Sequence, residues 1–313
     1  MRDFTILLLS LTWLPLHMPA QIDSRDSASS GDRSFLEYNG LHYGCFTDTL
    51  KERPADTLLA YWEDSLDKIQ HVRRYVQLMN WLQCALQSNF QTIVVNIPAA
   101  DLFVFREGTP VFYSRVVVGK PSTPTHTVSG SIRNIVLYPY WMVPRSIATK
   151  ELLPKIKKDP AFLENNNFQV LDNRGKIVDP AKVPWSSLSK TYFPYQLRQS
   201  TGCDNSLGIL KFDFYNPFSA YLHDTPEKHL FSRESRFYSH GCIRVERAIE
   251  LARLLLQDNG TAVDTLLYNP CRLYEQPRYV QLPSPVNVFI VYSRAWPNEA
   301  GDLRFFRNVY RKS

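Results

Sequence analysis

Hydrophobic residues change their spacing along the chain, and these changes mark out its main parts. Between residues 57 and 86 they recur three or four positions apart, which predicts one long helix or two shorter ones. Between residues 92 and 119, three runs rich in β-branched and aromatic residues are separated by turn residues, which predicts consecutive strands. We therefore distinguish a helical segment, residues 57–90, from a strand-rich region, residues 91–313.

A second change of pattern interrupts the strand-rich region. Residues 146–197 are rich in lysine, and their helical runs, such as residues 148–158, are limited by prolines. The elements predicted after this insertion are a strand at 208–214, a helix at about 245–257, and strands at 286–293 and 302–306. The whole pattern indicates a strand-rich α+β fold with an insertion between its two halves.

The first twenty residues have the features of a secretory signal peptide. Arg2 precedes an apolar stretch at residues 4–16, and a short segment that ends in Pro19-Ala20 follows it. We expect cleavage after Ala20, with an uncleaved membrane anchor as the alternative. Residues 21–56 then form a linker and N-terminal segment, and the mature protein is expected in the periplasm or the cell envelope.

Charge and cysteine content narrow the possible functions. Lysine and arginine exceed aspartate and glutamate by six, but they are spread along the chain, which argues against a nucleic-acid-binding surface. Five cysteines are present, and an odd number in an exported protein fits one reactive thiol and four cysteines that can pair. Cys45, Cys84, Cys203 and Cys271 allow three pairings, and these remain open, as do unpaired thiols.

One segment concentrates reactive side chains, the run Ser239-His240-Gly241-Cys242. A thiol is nucleophilic only as a thiolate, which a nearby imidazole and a helix N-terminus both favour. We expect Cys242 at the start of the following helix, with His223 as its partner from 19 residues upstream. Gly241 permits a tight turn, so that its N–H and that of Cys242 can both point at a developing oxyanion. This arrangement is typical of acyl transfer through a thioester.

Other chemistries agree less well with the order of these residues. His223, His229, His240 and Cys242 are possible metal ligands, but their spacing matches no paired-ligand zinc pattern, and we expect no metal. No histidine follows Cys242, which excludes papain-like and NlpC/P60-like peptidases, where the cysteine comes first. In sortases, caspase-like proteases and L,D-transpeptidases the catalytic histidine precedes the cysteine in the sequence, as His223 precedes Cys242 here.

Short motifs spread over residues 92–309 carry a more specific resemblance. They are VNIP at 95–98, VVGK at 117–120, WMVPRSIA at 141–148, YLHDTP at 221–226, SHGCIRV at 239–245 and VYSRAW at 291–296. Together they resemble L,D-transpeptidases with a YkuD-like catalytic domain, in the subgroup that carries a capping insertion. The resemblance implies a strand-rich α+β catalytic domain at 91–313, with an inserted helical lid at about 146–197 and a helical segment before it.

The resemblance also implies roles for individual residues. Cys242 is the nucleophile, and His223 is the base that takes its proton and later returns one to the leaving amine. His240 supports the turn or tunes Cys242, and Ser239 hydrogen-bonds across the same turn. On a strand, Asp224 points away from the side of His223. We therefore expect a backbone carbonyl, rather than a carboxylate triad, to orient the imidazole.

Three further residues are expected at the substrate. Arg244 is suited to a substrate carboxylate through its planar guanidinium, and a structural ion pair is the alternative. Tyr221 shares a strand face with His223 and is expected to line the donor pocket. Trp141 is expected there too, with a place in the core as its alternative. These residues complete the predicted site.

The activity that the resemblance implies is peptidoglycan L,D-transpeptidation. The nucleophile attacks the third residue of a tetrapeptide stem, D-alanine leaves, and the amine of an acceptor stem resolves the thioester into a 3→3 cross-link. This chemistry requires no cofactor, and acylation by carbapenems is expected. Two alternatives remain open, which are L,D-carboxypeptidase or D-amino-acid exchange at the same site, and a non-catalytic wall-binding protein.

Overall fold

The described part of the chain, in this computed structural model, is residues 66–311 without 89, 258–262 and 265–269. The predicted signal peptide, the linker and the beginning of the helical segment lie outside the described residues. Within the described ranges, no helix combines the length and the apolar character that crossing a membrane requires.

The helical segment before the sheet contains one helix, α1, Leu66–Leu86. Its aromatic side chains meet aromatic side chains from the end of the chain. The rings of Trp81 and Phe289 are edge-on at 5.4 Å between centroids, and those of Tyr75 and Trp296 are edge-on at 5.8 Å. Such pairs contribute beyond the burial of their area, and they hold α1 against the strand-rich region.

The described residues of the strand-rich region form fifteen strands, counting those of the insertion. They are β1 Thr92–Asn96, β2 Asp101–Arg106, β3 Thr109–Gly119, β4 Val128–Leu137, β5 Trp141–Met142, β6 Phe168–Leu171, β7 Ile177–Val178, β8 Gln196–Gln199, β9 Leu210–Phe214, β10 Leu222–His223, β11 Phe237–Ser239, β12 Ile243–Val245, β13 Arg278–Val291, β14 Ala295–Pro297 and β15 Leu303–Phe305. The strand-rich α+β fold predicted from the sequence is confirmed.

Nine of these strands form the central sheet, in the order β11-β3-β12-β10-β9-β4-β13-β1-β2. Strand β2 also pairs with β3, so the sheet closes on itself. Most neighbours are antiparallel, but β10 and β12 are parallel, as are β1 and β13 and β3 and β11. A helix, α5 (Ala248–Leu256), packs on β13 through an apolar face that includes the buried Leu251 and Leu255.

The insertion forms a layer with its own hydrophobic core. Its sheet has the order β5-β8-β6-β7, so the insertion extends from Trp141 to Gln199 rather than from about residue 146 to 197. Its helices are α2 Arg145–Ile147, a π-helix Ala148–Leu152, α3 Leu153–Lys158 and α4 Phe162–Asn165, with short 3₁₀ turns at Pro180–Lys182 and Trp185–Ser187. The expected helical pieces are present. The sheet was not expected, because strands of two to four residues are too short to display an alternating pattern.

Two other strands differ from the sequence prediction. Strand β4 was not predicted, because small and polar residues dominate its first half, Val128 to Arg133. Strand β13 begins at Arg278 rather than near residue 286. Pro283 and Pro285 lie where its register with β4 shifts, and proline is tolerated in a sheet at such irregularities. The prolines therefore interrupt the sequence pattern without ending the strand.

A disulfide joins Cys203, in the loop after β8, to Cys271, in the segment before β13. It closes a sequence separation of 68 residues and belongs to one of the pairings that the sequence left open. Cys45 lies outside the described residues. The bond ties together two loops that are distant in sequence, and the first of these loops leads to the candidate site.

Candidate active site

Two short parallel strands carry the reactive side chains. Strands β10 and β12 pair Leu222 with Ile243 and His223 with Arg244, and the Ile243 N–H donates to the Tyr221 carbonyl at 3.0 Å. Leu222 and Ile243 are fully buried, and alternation turns the residues on either side of them to the opposite face. That face therefore carries Tyr221, His223, Cys242 and Arg244.

The thiol of Cys242 lies against Tyr221. It accepts hydrogen bonds from the Tyr221 backbone N–H and hydroxyl, and the indole N–H of Trp141 donates to the same hydroxyl. Burial raises the pKa of the Cys242 thiol. The Tyr221 hydrogen bonds and the positive charges of Lys211 and Arg244 act in the opposite direction. Tyr221 therefore favours the thiolate at a position where burial disfavours it.

The imidazole of His223 is buried next to two backbone carbonyls. Its Nδ1 lies 2.5 Å from the carbonyl oxygen of Asp224, and the Leu207 carbonyl lies near the ring. Burial lowers the pKa of His223 to about 3, the charge of Arg244 lowers it as well, and the two carbonyls oppose both effects. Because a carbonyl only accepts, Nδ1 carries the proton of the neutral ring and Nε2 keeps the lone pair that a base needs.

The carboxylate of Asp224 points away from His223. It accepts from the Ile209 N–H at 3.1 Å and forms an ion pair with Lys228. Gly208, at φ +63°, packs so closely that a Cβ there would lie 2.3 Å from the carboxylate. The side chain of Asp224 therefore holds the loop that supplies the Leu207 carbonyl, while its own carbonyl orients the imidazole.

Arg244 forms an ion pair with Glu227, whose side chain is half exposed. The guanidinium is mostly buried and contributes positive charge to both His223 and Cys242. The ion pair that was the alternative for Arg244 is therefore present. Binding of a substrate carboxylate by Arg244 stays a prediction. It requires the substrate carboxylate to replace that of Glu227 at the guanidinium.

The turn before Cys242 is organised by Ser239. Its hydroxyl accepts from the Gly241 N–H at 3.1 Å and donates to the Cys242 carbonyl at 2.5 Å. Gly241 has φ +116°, which an L-residue rarely adopts. The hydrogen bond expected of Ser239 across the turn is present.

Two expectations about Cys242 need correction. Cys242 does not begin a helix, because β12 lies between it and α5, which starts at Ala248. The Gly241 N–H is engaged by Ser239 and so does not point at an oxyanion. Within the described ranges the Cys242 N–H has no hydrogen-bond partner, and it is the donor of this turn that remains available.

A cavity of about 230 Å³ opens at Cys242. Its lining residues are Thr123, Pro124, His126, Phe218, Ala220, His240, Gly241 and Cys242. Two of the lining rings, those of His126 and Phe218, are stacked at 4.1 Å between centroids. A third lining residue, His240, has its Nε2 2.7 Å from the Glu151 carboxylate of the insertion. The insertion therefore contacts the site through Glu151 as well as through Trp141.

Several residues at the site were missed by sequence reasoning. Leu207, Lys211, Thr125 and Glu151 contribute a carbonyl, a charge, a hydroxyl and a carboxylate, and none of them belongs to a reactive motif. The only sequence signal for them is proximity to predicted features, since Leu207 and Lys211 lie beside and on the strand predicted at 208–214, and Thr125 and Glu151 follow the motifs at 117–120 and 141–148. The described residues contain no group of three or more histidine, cysteine, aspartate or glutamate side chains that can hold a metal ion.

Sequence comparisons match the region that carries this site. The family model described as the YkuD L,D-transpeptidase catalytic domain matches residues 91–266. A curated protein of Haemophilus influenzae, named "Putative L,D-transpeptidase", is 38% identical over 221 residues. The similarity covers 70% of this chain and 44% of that protein, so the chain spans less than half the length of this relative.

Solved structures with detectable similarity are more distant. The crystal structure of L,D-transpeptidase 3 from Mycobacterium tuberculosis has 12% identity and a TM-score of 0.30, covering 63% of this chain and 60% of that one. The NMR structure of the catalytic domain from the E. faecium L,D-transpeptidase acylated by ertapenem has 12% identity and a TM-score of 0.29, covering 51% and 84%. At these scores the structural similarity adds nothing to what the sequence matches show.

We expect Tyr221→Phe to raise the pKa of the Cys242 thiol, because it removes one of the two hydrogen bonds that offset burial. Below that pKa, alkylation by iodoacetamide slows about tenfold for each unit of pKa increase. Mass spectrometry of the adduct across a pH series measures the shift. Tyr279→Phe, which alters a largely exposed tyrosine on β13, is the matched control and should leave the profile unchanged. An unshifted profile in Tyr221→Phe would contradict the assigned hydrogen bond.

Stability is expected to fall in acid because His223 stays neutral in the folded protein. The unfolded side chain has a pKa of about 6.5, and the folded pKa is about 3. Between these values the unfolded chain binds a proton that the folded protein excludes. The free energy of unfolding therefore decreases as pH falls from about 6.5 towards 3, by at most about 1.4 kcal/mol per pH unit.

Urea unfolding of the wild type and of His223→Gln at several pH values tests this. Glutamine does not titrate, so the stability of the wild type relative to the variant should decline as the solution is acidified below about pH 6.5. A difference between the two proteins that stays constant over this range would show that His223 is not held neutral by burial.

Proposed function

The chain belongs to the family of L,D-transpeptidases with a YkuD catalytic domain, and from this we propose that it forms 3→3 cross-links in peptidoglycan through a thioester on Cys242. The observation that carries the proposal is the single strand face shared by Cys242, its hydrogen-bond donor Tyr221 and the carbonyl-oriented His223. A nucleophile, a base and an orienting group in this relation are what covalent acyl transfer requires.

In the first half-reaction the donor is a tetrapeptide stem. Nε2 of His223 takes the thiol proton of Cys242 as sulfur attacks the carbonyl carbon of the third residue. The Cys242 N–H, which lacks an internal partner in the described part of the chain, donates to the resulting oxyanion. The C–N bond to the terminal D-alanine then breaks, its nitrogen takes the proton from His223, and a thioester remains on the enzyme.

In the second half-reaction an amine of an acceptor stem attacks the thioester. His223 accepts a proton from the attacking nitrogen, and the tetrahedral intermediate collapses with release of the Cys242 thiolate. The thiolate recovers its proton from His223, and the new amide is the cross-link. The same residues thus serve both steps in opposite order, and no cofactor or metal takes part.

The donor is proposed to lie under the insertion. Trp141 on β5 reaches the Tyr221 hydroxyl, and Glu151 on the π-helix reaches His240, so the insertion touches the site at two points. We assign it the role of a lid that limits access of water to the thioester. Arg244 is assigned to a donor carboxylate, with Glu227 as the carboxylate that the substrate displaces.

Location and inhibition follow from the same proposal. We assign the protein to the periplasm or cell envelope, where an oxidising environment is compatible with the Cys203–Cys271 disulfide. Carbapenems present a strained acyl group to a nucleophile, and acylation of Cys242 by them is part of the proposal. The stem peptides of peptidoglycan are its assigned partners.

The direct test is to incubate the mature protein with a purified disaccharide tetrapeptide and to analyse the products by mass spectrometry. A cross-linked dimer formed with loss of D-alanine is expected, and the Cys242→Ala variant should lose this activity by about 10⁴-fold or more because no thioester can form. The Cys84→Ala variant is the matched cysteine control and should retain the activity.

Each other outcome points to a different function. Release of D-alanine without a dimer would indicate a carboxypeptidase, and replacement of D-alanine by an added D-amino acid would indicate exchange. Binding of the disaccharide tetrapeptide without any thiol-dependent turnover would indicate a non-catalytic wall-binding protein and would contradict the proposal.

A further inference from the structure

A threonine outside the reactive motifs contacts the catalytic turn directly. Thr125, in the loop between β3 and β4, is fully buried. Its hydroxyl accepts from the Gly119 N–H at 2.8 Å and donates to the Gly241 carbonyl at 2.8 Å. The hydroxyl therefore bridges the end of β3 to the residue immediately before the nucleophile.

A tyrosine near the end of the described chain holds this threonine in place. The backbone N–H of Thr125 donates to the Tyr310 hydroxyl at 3.2 Å, and that hydroxyl donates to the Gly119 carbonyl at 2.5 Å. The ring of Tyr310 packs against Tyr292 and Phe237, with centroid distances of 5.8 and 6.4 Å. Thr125 is thus fixed through both its backbone and its side chain.

The loop between β3 and β4 also forms hydrogen bonds to the beginning of the turn, at Ser239. The Thr123 hydroxyl and the Lys120 N–H both donate to the Ser239 carbonyl, each at 3.1 Å. The peptide group between Gly241 and Cys242 therefore lies in a turn that is held at the Ser239 carbonyl by this loop and at the Cys242 carbonyl by the Ser239 hydroxyl. Its orientation about the chain axis depends on the hydrogen bond to the Gly241 carbonyl.

That hydrogen bond has a consequence for the Cys242 N–H. In a trans peptide the carbonyl and the N–H of one peptide group point in opposite directions. Thr125 holds the Gly241 carbonyl on its own side, so the Cys242 N–H is directed to the opposite side. An oxyanion donor stabilises a transition state best when it is already aimed before the reaction.

We propose that Thr125 is a positioning residue that aims the Cys242 N–H at the oxyanion, with Tyr310 fixing Thr125. The inference rests on the proposed function, because an oxyanion forms only if Cys242 attacks an acyl group. It adds to that function a hydrogen-bond network that begins near the end of the described chain and ends at the nucleophile.

Two reactions of the same thiol separate this role from a general structural one. Acylation by imipenem passes through an oxyanion, whereas alkylation by iodoacetamide does not. Both rates are measured by intact-protein mass spectrometry on the wild type, Thr125→Val, Thr125→Ser and Tyr310→Phe. Thr109→Val, at an exposed threonine on β3, is the matched control, and thermal unfolding checks that every variant is folded.

Loss of the hydroxyl in Thr125→Val is expected to slow acylation by about 10²-fold, the effect of losing one oxyanion donor, and to leave alkylation within about twofold of the wild type. Thr125→Ser restores the hydroxyl and should recover most of the acylation rate. Tyr310→Phe should slow acylation less than Thr125→Val does, because Thr125 keeps its own bond to Gly241. Thr109→Val should match the wild type in both reactions.

Three results would overturn the inference. Wild-type acylation by Thr125→Val would show that the hydroxyl is not needed. An equal decrease of both rates would show that Thr125 affects the thiol rather than the oxyanion. A wild-type protein that is alkylated but never acylated would refute the proposed function, and the inference with it. If Thr125→Val does not fold, the comparison of Thr125→Ser and Tyr310→Phe decides in the same way.

Discussion

Strands β10 and β12 lie side by side in parallel with Leu222 opposite Ile243, and both of these side chains are fully buried. A slip of one residue would turn Cys242 and the guanidinium of Arg244 into the core and would expose Ile243. Burial of each aliphatic side chain is worth about 1.5–3 kcal/mol, and an unpaired charge in the core costs more than that. Core packing therefore sets the relation between Cys242 and His223, the proposed nucleophile and base. Cys242 and His223 share one face of the strands because Leu222 and Ile243 are buried on the other face.

Burial has opposite effects on the two partners of the proposed reaction. It raises the pKa of the Cys242 thiol and lowers that of His223, so the resting pair is neutral. The groups around the pair favour the charged state instead, since Tyr221 donates to the sulfur, the Asp224 carbonyl accepts from the ring, and the Leu207 carbonyl lies near it. A site of this kind ionises as the bond to substrate forms, and its dipoles are already in place when charge develops.

The features that the sequence predicted are local, and those that it missed depend on distant contacts. Alternation along one strand was enough to place Tyr221 with His223 and to turn Asp224 away. The helix expected at Cys242 was wrong because Ile243 and Val245 fit a buried strand and the first turn of a helix equally well. The Leu207 carbonyl, the Thr125 hydroxyl and the Cys203–Cys271 bond arise from tertiary folding, which no spacing in the sequence records.

In the proposed reaction Cys242 carries the donor stem as a thioester, and the intact mass of the protein shows directly whether this adduct forms. The protein is mixed with a tetrapeptide donor in the absence of an acceptor and quenched in acid within the first turnovers. We expect a mass increase equal to the donor less D-alanine, located on Cys242 and removed by neutral hydroxylamine. An unchanged mass while D-alanine is released, or an adduct that persists in Cys242→Ala, would contradict it.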